Sequence, residues 1–261
     1  TCIRKGIKKN KQTVMNYTPE QLQENYKTFL SFIDEYIGDE RKVKLTKLYE
    51  DHEERIMMMP ASGTAHYHNC FIGGYVDHVI RVMKCALDVD ELWTKHGATR
   101  DYTTEELIFA AMNHDLGKIG SEQAEQYIHN PSDWHRKNQG KLYTNNPANA
   151  FMTVPDRGLK LLYDRGITIT DNEWFGIKLH DGMYEEANKP YYISWNPDSA
   201  LRTNLPHVLH QADMMASCIE SNMMKGESVT TFPEKKTSKK KGNITESDKD
   251  NLKNTFDKLF K

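Results

Sequence analysis

The chain has 261 residues, 38% hydrophobic and 28% charged, with a formal net charge of −2. That size suits one large domain, or one domain with appendages. The balanced charge excludes a whole-chain field that would draw in nucleic acid. No apolar run approaches the roughly 18 residues a bilayer span needs.

Residues 1–14 carry Arg4, Lys5, Lys8, Lys9 and Lys11 without an apolar stretch, so they read as a disordered basic extension and not as a secretory leader. Thr18-Pro19-Glu20-Gln21 then supplies an N-cap, a Pro at the first helical position and a capping-box Gln. Leu22, Tyr26, Phe29, Ile33 and Ile37 come next at helical spacing, and Gly38 ends that helix. A second helix is expected over 40–58 and a loop over 59–74, where Pro60, Gly63, Gly73 and Gly74 cluster. The third runs from about Tyr75 to Lys95, with Val79, Met83, Ala86, Leu87 and Trp93 on its apolar side. Thr103 or Thr104 caps the fourth, whose face is Leu107, Ile108, Ala111 and Leu116, and Gly117 closes it. Residues 131–155 read as a long irregular stretch of the kind that often forms a binding wall. Helices are expected again over 156–165, 171–180 and 206–225. Residues 226–261 read as a Lys-rich tail ending in a short amphipathic helix through Leu252, Phe256, Leu259 and Phe260, which is expected to pack on its own domain, with a dimer contact as the alternative. Cys2, Cys70, Cys85 and Cys218 lack CxxC spacing and read as free thiols in a reducing cytoplasmic compartment, with Cys85 and Cys218 buried. The domain expectation is therefore a helical domain over 15–225 between flexible basic ends, with almost no strand.

One constellation stands out. His114-Asp115 lies in Ala-Ala-Met-Asn-His-Asp-Leu-Gly-Lys, with His78 upstream and Asp213 downstream, all on apolar helices. An unpaired carboxylate at Asp213, inside Ala-Asp-Met-Met-Ala, would cost several kcal/mol to bury. A divalent cation is the economical partner. Imidazole and carboxylate together suit Mn, Fe, Co, Ni, Mg or Zn. Four protein ligands leave positions on a six-coordinate ion for water or a phosphate oxygen.

The pattern resembles the HD-domain metal-dependent phosphohydrolase superfamily over about residues 60–220. Pro60-Ala61 … His66-Tyr67-His68 … Gly73-Gly74-Tyr75-Val76-Asp77-His78 is similar to the segment before the first ligand in bacterial HD-domain 3′-to-5′ exoribonucleases. Asn113-His114-Asp115-Leu116-Gly117-Lys118 is similar to their His-Asp-Ile/Leu-Gly-Lys segment. Gln139-Gly140-Lys141-Leu142-Tyr143, the helix from Glu173 to Gly182, and Leu209-His210-Gln211-Ala212-Asp213 extend the likeness. The resemblance implies an all-α HD helical bundle with His78, His114, Asp115 and Asp213 on the first metal and Lys118 near a substrate phosphate. It also implies roles for His180, as a ligand of a second metal or a substrate contact, and for Asp156, which stands where relatives carry a further histidine. His135 is another candidate for that ligand. His66 and His68 are placed near the phosphate or in support of the metal shell, and His207 and His210 as structural.

The expected activity is metal-assisted phosphoester hydrolysis on nucleotides, as a nucleotidase, a (d)NTP phosphohydrolase or a phosphodiesterase. Lys118, with Arg157 or His68, would neutralise developing phosphate charge. His68, His180 and Asp181 are the options for the general base. Three alternatives stay open: a 3′-to-5′ exonuclease on single-stranded nucleic acid, a di-iron HD oxygenase, and a non-catalytic binding module. The exonuclease reading lacks a β-rich oligonucleotide-binding segment. No membrane partner is expected, and a homodimer stays open.

Overall fold

Thr18 opens the first helix. Its hydroxyl accepts from the Gln21 amide while the Gln21 side chain accepts from the Thr18 amide, so two otherwise unpaired donors are satisfied reciprocally. The computed structural model describes residues 17–225. The expectations for residues 1–14, for the 226–261 tail and for its terminal helix lie outside the described residues.

Helix α1 spans Pro19–Tyr36, and Tyr26, Phe29, Phe32 and Ile33 form its buried stripe. Where one helix over 40–58 was expected, the chain makes two, α2 (Asp39–Asp51) and α3 (Glu53–Met58), broken at His52. His52 departs from helical backbone (φ −119°, ψ 17°) and is buried beside Glu122 at 3.2 Å. That tertiary contact leaves no local signature, because the residues around it are good helix formers.

The loop to residue 73 ends at Gly73 (φ +85°), a conformation that favours glycine, and α4 (Gly74–Lys95) comes next. Helix α5 (Thr104–Asn113) carries a full capping box from Thr103 and Glu106. It stops earlier than expected. His114 is its C-cap, and a 3-10 turn over Leu116–Ile119 continues the chain, so Gly117 sits inside that turn. A Cβ on Gly117 would fall 2.0 Å from the Val154 carbonyl, so only glycine lets this turn lie against the next long helix.

The irregular stretch holds more structure than expected. Strands β1 (Tyr127–His129) and β2 (Tyr143–Asn145) pair antiparallel, with Ile128 opposite Thr144, and α6 (Asp133–Gln139) lies between them. Helices α7 (Val154–Asp164), α8 (Asp171–Leu179), the single turn α9 (Lys189–Tyr192) and α10 (Leu205–Met224) complete the described residues. The α10 start has no cap from Asn204. Asp101 supplies it instead, accepting from the Asn204 amide at 3.0 Å and the Thr203 hydroxyl at 3.1 Å.

Among the described residues the fold is thus all-α apart from one small hairpin. Helices α4 and α10 pack along each other, α5 packs against both, α8 packs against α5 and α10, and α1 closes one side. Their interior is one apolar cluster that includes Phe29, Tyr49, Met83, Leu107, Phe109, Ile177 and Leu209. Each such side chain contributes about 1.5–3 kcal/mol by leaving water. Cys70 and Cys85 are buried and free, but Cys218, expected inside, is exposed. The buried stripe of α10 runs through Leu209, Ala212, Ala216 and Glu220 and passes it by.

Candidate metal centre

Four helices deliver the polar residues at the centre of this apolar bundle. His78 lies early in α4 and Asp213 midway along α10. His114 caps α5 and His180 caps α8. His78, His114 and His180 are almost completely buried, as is Asp115, the residue after the α5 cap.

The rings are held in one tautomer by partners that can only accept. His114 Nδ1 faces the Ala111 carbonyl at 2.7 Å, and His180 Nδ1 faces the Ile177 carbonyl at 2.8 Å. His78 Nδ1 faces the Glu220 carboxylate, 3.1 Å from Oε2. In each ring the proton therefore sits on Nδ1, and a neutral ring presents the Nε2 lone pair inward. The Nε2 atoms of His78 and His114 are buried and make no hydrogen bond. His78 Nε2 does lie 3.3 Å from Asp213 Oδ1 and 3.6 Å from Asp115 Oδ2, and His114 Nε2 lies 3.4 Å from Asp115 Oδ2, without hydrogen-bond alignment. His180 Nε2 stands 3.8 Å from Asp115 Oδ1.

Two groups of ligand atoms, each within 4.8 Å of one another, share His114: His78–His114–Asp213 and His114–Asp115–His180. Imidazole nitrogens and carboxylate oxygens converging with unused lone pairs fit a divalent cation of the borderline class. The residues present therefore fit the metal that the motif implies.

The electrostatics agree. Burial pulls the His78 pKa down, but Glu220 and Asp213 outweigh it and raise it to about 10, so at neutral pH a cation bound at Nε2 would take the place of a proton there. Burial likewise opposes His180, which Asp181, Asp115 and Asp213 raise overall. Burial would raise the carboxyls of Asp115 and Asp213. Lys118 and His114 pull Asp115 well below its ordinary value, and His78 and His114 do the same for Asp213. The pocket is a buried concentration of negative charge that holds nearby positive charge firmly.

Lys118 reaches into this field from the 3-10 turn and binds Asp115 Oδ2 at 2.5 Å. Burial disfavours its charge, but Asp115 more than restores it, so Lys118 stays an ammonium. His68 comes from the loop before α4, its ring 4.4 Å from that of His78. It donates to the same Glu220 oxygen at 2.8 Å and is neutralised chiefly by burial.

Sequence reasoning misses Glu220. It is 1% exposed, takes His68, His78 and the Arg81 Nε at 3.1 Å, and its carboxyl is held down to about 2 against the effect of burial by His78 and His68. A signal exists: Glu220 is seven residues after Asp213 in a stretch with no other charged residue, hence on the same helix face. Glu220, His68 and His78 form a third group within 4.8 Å. With His78 Nδ1 occupied by the carboxylate, this group orients the His78 ring toward the centre.

Other expected residues lie elsewhere. Asp156 does not join the groups; it sits in the first turn of α7, accepting from Lys178 Nζ at 2.5 Å and the Thr153 hydroxyl at 2.7 Å. Its position is explained by the helix start and an ion pair. Arg157 is buried and donates to the Ala150 carbonyl at 2.8 Å, with its pKa lowered by burial. His135 faces the Ser132 hydroxyl on α6, and His66 is exposed on the loop. His210 Nδ1 bonds the His180 carbonyl at 2.8 Å, and His207 stacks on Trp93, both structural contacts. Asp181 is half exposed, 3.6 Å from His180 Nε2. Among the described residues no helix is long and apolar enough to cross a membrane.

No family model, curated protein or solved structure matches this chain.

Proposed function

We propose that the protein is a metal-dependent phosphohydrolase of the HD type, acting on nucleotides. The observation that carries this reading is the convergence of His78, His114, Asp115, Asp213 and His180 around unused imidazole lone pairs, with the Lys118 ammonium bound to Asp115. The motif order His … His-Asp … Asp, with Leu-Gly-Lys directly after the His-Asp pair, supports the same class.

A divalent cation held there supplies the Lewis acidity that makes water a nucleophile at neutral pH. The chain's own residues do the rest. Glu220 and the Ala111 and Ile177 carbonyls lock the three rings, so the ligand atoms need no rearrangement. Lys118 offers its ammonium to a phosphoryl oxygen, where it stabilises charge that develops in the transition state. His68, neutral and fixed on Glu220 through Nδ1, would take a proton at Nε2.

The test is a screen of the Mn-loaded full chain against NTPs, dNTPs, NMPs, dNMPs, cyclic nucleotides and a short oligonucleotide, with products separated by chromatography and bound metal measured by atomic emission. One favoured mononucleotide, with stoichiometric metal, supports the proposal. Shortening of the oligonucleotide alone replaces it with exonuclease activity. Inertness with metal bound sinks it.

A further inference from the structure

A cavity of about 670 Å³, in the range of small-molecule sites, lies beside Lys118. Lys118 is the residue that belongs both to this cavity and to the metal centre, through its 2.5 Å bond to Asp115. Two chain segments supply the apolar part of its wall. The α3 end and the loop after it contribute Met58, Pro60 and Ile72, and the hairpin contributes Tyr127 and Tyr143.

These walls are unusual in their exposure. Ile72 and Met58 are 47% and 45% exposed although they line a concave site, so their apolar surface is left to water. Tyr127 is half-buried next to Lys118, and burial raises its phenol pKa despite the nearby ammonium. Aromatic rings, a thioether and an aliphatic side chain, with Lys118 and Arg55 as the cations and Glu54 and Glu125 as the anions of the same lining, suit a flat ring joined to a phosphate. Ring faces stack on aromatic side chains with little dependence on ring identity.

We propose that this cavity receives the base of a nucleoside monophosphate, with Tyr143 and Ile72 as base contacts and Lys118 as the phosphate anchor. The phosphate end rests on the phosphohydrolase reading, whereas the base slot stands on the cavity walls themselves.

The test measures binding by calorimetry on the Mn-loaded full chain. The probes are AMP, GMP, CMP, UMP and, lacking a base, ribose 5-phosphate. At least one nucleotide should bind about tenfold more tightly than ribose 5-phosphate. Tyr143→Ala should erase that preference while ribose 5-phosphate affinity is kept. Ile72→Ala, at an exposed position that does not threaten folding, should reduce it in the same direction. Equal affinity for ribose 5-phosphate and all four nucleotides overturns the slot, as does a preference that survives both variants. Nucleotides that bind with the expected preference but are never hydrolysed would overturn the phosphohydrolase reading and leave the slot intact. Hydrolysis of ribose 5-phosphate with no preference for a base would do the reverse.

Discussion

Helices α5 and α8 start alike and deliver different chemistry. Each begins at a threonine with a full capping box, Thr103 with Glu106 and Thr170 with Glu173. Each ends at a histidine whose Nδ1 bonds the carbonyl three residues back, and each histidine precedes an aspartate. Yet Asp115 is 3% exposed at the centre, while the Asp181 side chain is 50% exposed. The helix end places the imidazole; the segment downstream of it places the carboxylate. After Asp115 the 3-10 turn presses onto α7 and brings Lys118 back to the carboxylate. After Asp181 the chain turns at Gly182 (φ +59°), where a Cβ would meet the His210 ring at 2.6 Å.

The sharpest way to break this comparison is Asp115→Ala. It should abolish metal uptake and lower any phosphohydrolase turnover by at least ~10³-fold, with far-UV circular dichroism unchanged. Retained metal stoichiometry by atomic emission would defeat the assignment.

The shared starts can be tested through Arg41, which bridges Glu105 and the fully buried Glu173. Arg41→Ala should cost about 3 kcal/mol in urea denaturation at pH 7, because it strands a buried carboxylate. Acid should narrow that difference. Burial would raise the Glu105 carboxyl, but Arg41 and the Gly38 amide lower it overall. Its stabilising contribution is therefore complete above the ordinary glutamate range and fades as pH falls through the lowered folded value. Burial raises Glu173, and losing Arg41 would raise it further, so its protonation at low pH relieves the variant. The gap between Arg41→Ala and the parent should shrink on acidification. A gap that widens would contradict the pair.

Glu220→Gln should weaken Mn affinity by about 10–100-fold in a chelator competition, since the carboxylate holds the His78 ring. Unchanged affinity would reduce Glu220 to packing. His180→Ala should weaken affinity by about tenfold. Asp181→Ala should change it by no more than about twofold, as for an ordinary surface residue. If Asp181→Ala matched His180→Ala, the two helix ends would be equivalent after all.

Much of this is legible in the amino-acid order alone. The caps at Thr18 and Thr103 and the apolar periods of α4, α5 and α10 are local, so the sequence displays them directly. His78, His114, Asp115, Asp213 and His180 are readable as a set, and the bundle brings them together. The break at His52 is not, because Glu122 enforces it from 70 residues away. The hairpin of β1 and β2 is hidden by three-residue strands too short to show alternation. Asp156 is misleading: beside Pro155 and after Thr153 it is a helix-start residue, and Lys178 occupies its free oxygen. Glu220 goes unread because one glutamate carries no motif, although its spacing from Asp213 is visible.

The Arg41 bridge has a mechanical meaning as well. Helices of ten and nine residues are rods about 15 and 14 Å long. A pivot of about two degrees at the root would sweep the far tip by about 0.5 Å, as much play as a ligating side chain tolerates. Arg41 reaches the roots of both rods, with Glu105 on one and Glu173 on the other, and Thr170 and Asn172 lock onto Glu106 across the gap. One clamp on the outside of the bundle thereby sets the aim of two histidines at its centre.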